Sequence, residues 1–212
     1  MSEALTKPGA DYGFMFDQSV CTGCKACQVA CIDKHDLPLG VMWRRVPEYS
    51  GGTWQIDGNT ATPHIFTYYT SIACNHCENP VCVEVCPTTA MTRRDDGTVY
   101  VDQDKCVGCR YCEWACPYSA PQFDSDSGHM TKCDLCHDYR SEGLDPACVA
   151  ACPSRALAWG PIDELRATYG EGNGIAPLPD PSITEPHLVV RPHRDSQAWD
   201  QATGHIANPG EI

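Results

Sequence analysis

Short apolar runs are spaced along the chain and predict brief strands rather than long helices. Residues 12–16, 65–71 and 98–101 are rich in aromatic and β-branched side chains, a composition typical of strands. Each run precedes a group of cysteines, and we expect the segment after the last cysteine of each group to begin or continue a short helix. The pattern therefore predicts an α+β fold built from small elements.

One ordinary helix is predicted, over residues 161–169. Pro161 suits the first helical position, and Asp163 and Glu164 complement the positive end of the helix dipole. Gly170 can end the helix, because glycine adopts a left-handed conformation at low cost.

Two segments without cysteine differ from the rest of the chain. The insertion at residues 33–62 carries Gly51-Gly52, Asp57-Gly58 and aromatic residues, which predict a β-hairpin. Residues 171–212 contain six prolines. We expect this tail to be extended, with little to pack against within the chain, and to be either disordered or laid across a partner.

Length and charge exclude several classes of protein. The 212 residues suit one or two domains. Lys and Arg number 15 against 28 Asp and Glu, and the net charge of −13 argues against a nucleic-acid partner and against an anionic membrane surface. No apolar stretch approaches the ~20 residues needed to cross a bilayer.

The first eight residues lack an apolar core and a twin-arginine pair, so the sequence predicts no export signal of its own. The pairs Arg44-Arg45 and Arg93-Arg94 are internal and cannot serve as one. The sequence by itself therefore predicts a cytoplasmic location, where a reducing environment favours metal ligation over disulfides.

The chain contains sixteen cysteines, which fall into four groups of four with none left over. Groups one and three share the spacing C-x2-C-x2-C-x3-C, while groups two and four have a longer middle gap. The groups are Cys21, Cys24, Cys27 and Cys31; Cys74, Cys77, Cys82 and Cys86; Cys106, Cys109, Cys112 and Cys116; and Cys133, Cys136, Cys148 and Cys152.

This spacing predicts [4Fe–4S] clusters arranged in pairs. A loop with two residues between successive cysteines can curl so that three thiolates surround one cube. A fourth cysteine about one helical turn further on points towards a second cube. Gly23 and Gly108 lie inside the tight loops, where backbone N–H groups must approach sulfur. Proline follows the last cysteine of groups two, three and four and limits further helix, whereas Ile32 follows Cys31.

Other uses of the cysteines fit less well. Zinc sites usually pair two C-x2-C knuckles across a longer gap and do not explain the tight triple spacing. His76 and His137 lie beside cysteines, and histidine replaces cysteine in some clusters. Sixteen thiols already satisfy four cubes, so we interpret the histidines as surface or hydrogen-bonding residues.

Charged and aromatic residues near the cysteines allow two interpretations. Lys25, Lys105, Arg110 and Lys132 are either solvated surface charges or cations that offset the anionic clusters and raise their potentials. We assign the tryptophans to packing rather than to an electron relay, namely Trp43, Trp54, Trp114 and Trp159.

The sequence lacks the motifs of a self-contained enzyme. It has no G-x-S-x-G, no Walker loop and no convincing dinucleotide fingerprint. Cubes saturated by thiolates have no open iron for a substrate, so electron transfer is the predicted role. An enzyme with a site-differentiated cluster would need a group of three cysteines, and no group is short.

These residues resemble the iron–sulfur (B) subunits of the dimethyl sulfoxide reductase family of molybdopterin oxidoreductases. The resemblance runs from about Tyr12 to the end of the chain, and its cluster motifs are shared across the wider family. It is carried by residues 21–25 (CTGCK), 74–78 (CNHCE), 106–112 (CVGCRYC), 128–134 (GHMTKCD), 160–166 (GPIDELR) and 207–209 (ANP).

The resemblance implies which cysteines share a cluster, in four sets. The first set is Cys21, Cys24, Cys27 and Cys152; the second is Cys133, Cys136, Cys148 and Cys31; the third is Cys74, Cys77, Cys82 and Cys116; and the fourth is Cys106, Cys109, Cys112 and Cys86. In the related respiratory nitrate reductase β subunit, a Trp stands where this chain has Cys109, and that cluster is [3Fe–4S].

The resemblance also implies two ferredoxin-like 2[4Fe–4S] modules. The outer module would comprise residues 1–32 and 128–170, which hold groups one and four. The inner module would comprise residues 73–127, which hold groups two and three. Residues 33–72 would form an insertion and residues 171–212 the extended tail.

Partners follow from the same resemblance. It implies a large catalytic subunit with a bis-molybdopterin cofactor and an integral-membrane partner that oxidises quinol. The catalytic partner typically carries a twin-arginine signal and takes the folded subunit across the membrane. The resemblance therefore predicts membrane association through partners, with a cytoplasmic location as the alternative. Other reductases or dehydroxylases of this kind, and a stand-alone polyferredoxin, remain alternatives.

Overall fold

The computed structural model describes residues 9–211, so the expectation about an export signal in residues 1–8 lies outside the described residues. Ten strands and six α-helices, all of ten residues or fewer, occur in this range. The strands are β1 Tyr12–Asp17, β2 Glu48–Asp57, β3 Thr60–Tyr69, β4 Met91–Arg93, β5 Val99–Val101, β6 Gln122–Asp124, β7 His129–Thr131, β8 Leu157–Pro161, β9 Leu188–Arg191 and β10 His205–Ile206. The helices are α1 Ala26–His35, α2 Val81–Glu84, α3 Tyr111–Ala115, α4 His137–Ser141, α5 Ala147–Ala150 and α6 Ile162–Tyr169. The predicted α+β class is confirmed.

Strand β1 is the centre of a three-stranded sheet, and all six of its residues are buried. It pairs antiparallel with β8 and parallel with β9. Helix α6 covers one face, where Met15 and Val189 pack with Ile162 and Leu165. The strand predicted at residues 12–16 is therefore present, and its continuous burial explains its lack of polar alternation.

The helix predicted over residues 161–169 is present but begins one residue later. Pro161 has φ −54° and ψ 127° and is the last residue of β8, where it pairs with Tyr12. Strand pairing therefore holds this proline extended, at the N-cap and not at the first helical position. Gly170 ends the helix with a φ of 89°, and its N–H donates to the Arg166 carbonyl at 2.9 Å.

The predicted hairpin is formed by β2 and β3. Their register runs from Glu48 opposite Tyr69 to Asp57 opposite Thr60, so Gly58 and Asn59 make a two-residue loop. The second strand continues past the predicted end at residue 62 and takes in most of the run predicted at 65–71. Strand β10 of the tail pairs with the base of β2.

The short helices lie before the last cysteine of a group rather than after it. Helices α2, α3 and α5 end before Cys86, Cys116 and Cys152, and each of these cysteines precedes a proline. Only α1 runs past its last cysteine, from Cys31 to His35. The expectation of a helix after each group is thus wrong for three groups, because proline stops helix propagation there.

The tail is mostly irregular, as predicted, but it packs on its own chain. Ile175, Leu178, Leu188 and Val190 belong to the main apolar core, and β9 pairs along the full length of its four residues with β1. The expectation that the tail has little to pack against within the chain is therefore wrong. Six prolines shorten its regular elements without preventing burial of the apolar residues between them.

The cores are built around cysteines. Five of the buried residues of the main core are cysteines that come from groups one, two and four. A second core joins Cys82 and Cys112 to Met91, Val99 and Met130. Across residues 9–211, no helix combines the length and the apolar character that crossing a membrane requires.

Candidate iron–sulfur cluster sites

The four cysteine groups share one backbone feature, which curls each loop. The residue directly before the second cysteine is left-handed in every group, with φ of 67° at Gly23, 46° at His76, 64° at Gly108 and 59° at Leu135. A side chain in this conformation costs about 1–2 kcal/mol. That His76 and Leu135 tolerate it indicates that the loop requires this turn whatever residue occupies it.

Glycine is required sterically at two of these positions. A Cβ atom on Gly23 would overlap the ring of Tyr69, and a Cβ atom on Gly108 would overlap the carbonyl oxygen of Gly128. Glycine is therefore needed at these positions in groups one and three for two reasons. The backbone is left-handed there, and there is no space for a Cβ atom.

The structure brings the first set together. The thiols of Cys21, Cys24, Cys27 and Cys152 line one cavity of about 300 Å³. Cys152 is 125 residues or more away in sequence from the other three. The Ser71 hydroxyl lies 3.3 Å from the Cys27 sulfur. Four sulfur donors around one cavity are the ligand chemistry of a cubane.

The third and fourth sets are also brought together. A cavity of about 360 Å³ is lined by Cys74, Cys77, Cys82 and Cys116. A cavity of about 300 Å³ is lined by Cys86, Cys106, Cys109 and Cys112. In each, three thiols come from one group and the fourth from the last cysteine of its neighbouring group, because α2 and α3 pack against each other.

The second set is the most deeply buried. Cys31, Cys133, Cys136 and Cys148 are each at most 7 % exposed. Burial raises the pKa of Cys31 to about 12, and the nearby thiols of Cys148 and Cys136 add to the shift. Helix α1, which carries Cys31, packs against α5, which carries Cys148.

Backbone N–H groups approach several of the sulfurs. The Cys86 sulfur accepts from Met91 at 3.4 Å, the Cys152 sulfur accepts from Ala156 at 3.2 Å, and Cys116 accepts a similar bond. Burial alone would raise the pKa of Cys86 and Cys152, but hydrogen bonds outweigh it and hold both pKa values below the ordinary value. The turns at Cys86-Pro87 and Cys152-Pro153 therefore favour the thiolate, the form that ligates iron. At Cys116 burial outweighs the same kind of hydrogen bond and raises the pKa.

Most other thiols are held protonated in the absence of a cation. Burial raises the pKa to about 11 for Cys21, Cys112 and Cys136 and to about 12 for Cys77. Iron must displace these protons, because only thiolates bind it. None of the sixteen cysteines, all of which lie in the described range, forms a disulfide.

The sets lie next to one another in a fixed order. Burial is the main cause of the raised pKa of Cys148, and the thiol of Cys27 adds to it. Burial likewise dominates at Cys133, where the thiol of Cys74 contributes to the raised pKa. Thiols of the first and second sets are therefore neighbours, as are thiols of the second and third.

The third and fourth sets adjoin through the second core, which holds Cys82 and Cys112 together. The four sets thus follow one another as first, second, third, fourth. The two ends are the more exposed: Cys24 is exposed in the first set, and Cys106 and Cys109 are half-buried in the fourth.

The four basic residues beside cysteines divide into two kinds. Lys25 pairs with Glu211, Lys105 with Asp102 at 2.6 Å and Arg110 with Glu113 at 2.7 Å. Carboxylates therefore already offset these three charges. Lys105 and Arg110 are exposed, whereas Lys25 is half-buried and lines the cavity of the first set.

Lys132 is of the other kind, because it is buried and lines the cavity of the third set. Its Nζ donates to the carbonyl oxygen of Cys133 at 2.8 Å and to that of Val99. Of the four, it alone fits the interpretation of a cation that offsets cluster charge.

Two histidines near cysteines have structural partners. His76 is fully buried, and its Nδ1 accepts the N–H of Val99 at 3.1 Å. Burial holds its pKa well below the ordinary value, so the ring is neutral. His35, which the sequence did not single out, lies 3.4 Å from the Cys136 sulfur and packs on Trp43 with ring centroids 4.4 Å apart.

The tryptophans behave in two ways. Trp43 and Trp159 pack against the core and donate hydrogen bonds to Thr131 and Asp145 at 3.0 and 2.8 Å. Trp54 and Trp114 are 63 % and 73 % exposed, so the packing role assigned to them from the sequence is wrong within this chain.

The buried charge of Arg44 was not anticipated from the sequence. Arg44 is 2 % exposed and is the largest fully buried side chain of the described residues. Its position 13 residues after Cys31 carries no motif, so only the tertiary structure could reveal it.

Comparison with known proteins agrees with this geometry. Two family models, both described as "4Fe-4S dicluster domain", match residues 65–162 and residues 20–91. Together they include all sixteen cysteines. The protein is an iron–sulfur protein whose ligands are of the ferredoxin type.

Curated relatives narrow the family. The B subunit of the anaerobic dimethyl sulfoxide reductase of Escherichia coli (strain K12) is 52 % identical over 201 residues, which are 95 % of this chain and 98 % of that one. The corresponding Haemophilus influenzae subunit is 52 % identical over 203 residues, with the same coverage. The B subunit of the polysulfide reductase of Wolinella succinogenes is 36 % identical over 187 residues, 86 % of this chain and 95 % of that one. The four cysteine sets have the ligand chemistry of cubane clusters, and the similarity to these relatives covers nearly the whole chain. This chain is therefore a member of the family of iron–sulfur B subunits of dimethyl sulfoxide reductase-type oxidoreductases.

Proposed function

We propose that this chain relays electrons through four [4Fe–4S] clusters, from a quinol-oxidising membrane partner to a catalytic subunit with a bis-molybdopterin cofactor. The clusters supply one-electron redox chemistry when bound. The protein's own residues hold them in order, exclude water from the middle two and leave the outer two near the surface. The relatives named as subunits of dimethyl sulfoxide reductase support this direction of flow.

The single observation that carries the proposal is the contiguous order of the four cysteine sets. Each set offers four thiols, and each adjoins the next through a named pair: Cys27 with Cys148, Cys133 with Cys74, and Cys82 with Cys112. An enzyme with a substrate-binding cluster would need a set with an open position. All four sets are complete, so a conduit is favoured.

We also propose that the chain is organised as two modules. Sets one and two would form the outer module and sets three and four the inner one. Packing of α1 on α5 and of α2 on α3 supports these pairings. The hairpin β6–β7 crosses the expected boundary at residue 128, and Met130 packs with Met91 and Val99, so we extend the inner module to Thr131.

A projecting ribbon supports the partner proposal. Residues 52–65 of the β2–β3 hairpin are exposed on both faces, and a hairpin alone is marginally stable in water. Trp54, Ile56, Ala61, Pro63 and Ile65 share one face, because directly paired residues point the same way. The exposed fractions of Trp54, Ile56 and Ile65 are 63, 76 and 69 %. A contiguous apolar face of this kind marks an interaction surface.

The experiment is affinity purification of the native complex through a tag on this chain. A much larger molybdopterin-containing subunit is expected to co-purify. Trp54→Asp combined with Ile65→Asp places two charges on the apolar face, and we expect it to reduce recovery of a partner while the iron content of the chain stays unchanged.

The matched control is Thr53→Asp combined with Thr62→Asp, which adds the same two charges to the polar face of the same strands. It should leave partner recovery intact. A stable monomer in native extracts, or substrate turnover by the chain purified alone, would contradict the conduit proposal.

Location follows from the partners in this proposal. We propose that the chain is attached to the membrane through them and exported folded with a twin-arginine partner, the alternative being the cytoplasmic face. The 36 % identity to the B subunit of polysulfide reductase keeps another molybdopterin reductase as the second candidate. The exposed ribbon disfavours a stand-alone polyferredoxin.

A further inference from the structure

Arg44 lies in the interior between the first and second cysteine sets. The titratable side chains that act on its guanidinium are those of Cys148, Cys27, Cys133 and Cys31. Cys27 belongs to the first set and the other three to the second, so the same cation faces both sets. The Arg44 backbone N–H also hydrogen-bonds to the Cys31 thiol.

The guanidinium is only partly satisfied by protein oxygen atoms. Its Nη1 donates to the Ser71 hydroxyl at 3.0 Å and to the Ser71 carbonyl at 3.4 Å. Its Nε and Nη2 have no hydrogen-bond partner among residues 9–211. One face of the group lies over the Phe14 ring, with 4.5 Å from the guanidinium carbon to the centroid.

A buried, always-charged group without a carboxylate partner is costly unless another anion compensates it. A side-chain hydrogen bond joins the guanidinium to Cys148 of the second set, and the Ser71 hydroxyl that accepts from its Nη1 lies 3.3 Å from the Cys27 sulfur of the first set. The cysteines of both sets become thiolates when they ligate iron, so the bound clusters can supply the compensating negative charge. The free Nε and Nη2 donors are available to their sulfur atoms.

We propose that Arg44 is a counter-ion shared by the first two clusters, which holds their reduction potentials above those they would have without it. The inference rests on the proposed function, since it requires clusters in the first and second sets. It deepens that function by naming the residue that sets the potential at one end of the relay. Reduction makes each cluster more negative, so a fixed positive charge stabilises the reduced form, and hydrogen bonds to sulfur act in the same direction.

Lys25 provides a matched comparison. It is also a cation beside the first set and lines the cavity of that set, but its side chain is 28 % exposed and paired with Glu211. Solvent and its carboxylate partner screen its charge. Burial, rather than nearness in sequence, therefore distinguishes Arg44 from Lys25.

The test is an anaerobic redox titration of the native complex, followed by electron paramagnetic resonance. In Arg44→Met, the midpoint potentials of two clusters of this chain should fall and the other two should stay. At a fixed ambient potential, the reduced-to-oxidised ratio of those two should drop about tenfold or more, the scale of a unit charge at close range in a protein interior. Lys25→Met should leave the four potentials close to those of the parent.

Arg44→Lys keeps the charge and is the second variant. It should retain all clusters, with potentials nearer to the parent than those of Arg44→Met. If Arg44→Met fails to assemble clusters and Arg44→Lys fails as well, Arg44 is a packing residue against Phe14 and Ser71, and the inference is wrong. Unchanged or uniformly shifted potentials in Arg44→Met would also overturn it.

Failure of the proposed function is separable from failure of this inference. Iron analysis of the parent establishes first whether four clusters are present. If the parent holds four clusters and replacing Arg44 leaves their potentials unchanged, only the counter-ion role is refuted. If the parent does not hold four clusters, the proposed function is refuted.

Discussion

Replacing Cys109 by Trp is expected to convert one cluster of this chain to [3Fe–4S] while the other three remain cubanes. Cys109 lines the cavity of the fourth set together with Cys86, Cys106 and Cys112. An indole cannot ligate iron, so one corner iron loses its protein ligand, and the other three thiols keep the remainder. The oxidised variant should show the electron paramagnetic resonance signal typical of [3Fe–4S], which the parent lacks.

Loss of one iron changes the charge of that cluster and raises its potential. Electron transfer is then hindered because the potential of this cluster no longer matches that of its neighbour. Each ~59 mV of difference changes the one-electron equilibrium constant about tenfold. Quinol-dependent reduction of the terminal oxidant by the complex should therefore fall steeply. Val107→Trp is the control, because it places the same side chain in the same loop at a residue that is 65 % exposed. If the Cys109 variant stays spectroscopically like the parent, the assignment of the fourth set is wrong.

Ending the chain at Gly170 is expected to abolish the folded protein. The deletion removes Ile175, Leu178, Leu188, Val189 and Val190, each at most 9 % exposed. Burial of five such side chains contributes roughly 8–15 kcal/mol, which is comparable to the entire stability of an ordinary domain. Strand β1 would also lose its parallel partner β9. Soluble yield and iron content should both collapse.

A chain ending at Ala202 is the matched control for this truncation. It keeps β9 and every buried apolar residue of the tail. It loses the exposed strand β10, the hydrogen bonds of Asn208 to Val46 and Glu48, and the ion pair of Glu211 with Lys25. Its iron content should stay close to that of the full chain. A soluble, iron-loaded protein ending at Gly170 would show that the tail serves a partner instead of the fold.

The cysteine chemistry could be predicted from sequence because it is encoded locally. Ligand spacing and the need for glycine at positions 23 and 108 depend on neighbours within a few residues. The ends of the short helices before Cys86, Cys116 and Cys152 are equally local, but the prediction gave too little weight to the prolines that follow these cysteines. The left-handed conformation of Leu135 was not predictable, since leucine rarely adopts it and the loop imposes it.

The tail and the buried cation could not be predicted, because they depend on contacts between distant segments. Proline content suggested an unpaired tail, yet Leu188, Val189 and Val190 form a short apolar run that β1 buries. Arg44 has no motif, and its role emerges only where thiols of two groups meet. Trp54 is exposed because the hairpin projects from the rest of the chain. Amino-acid composition does not indicate that projection.

The most direct test of the account is iron and acid-labile sulfide analysis of the anaerobically purified chain. Sixteen cysteines in four complete sets predict about sixteen irons and as many sulfides per chain, four for each set of four thiolates. Zinc in place of iron, or only about eight irons in fully loaded protein, would contradict the account.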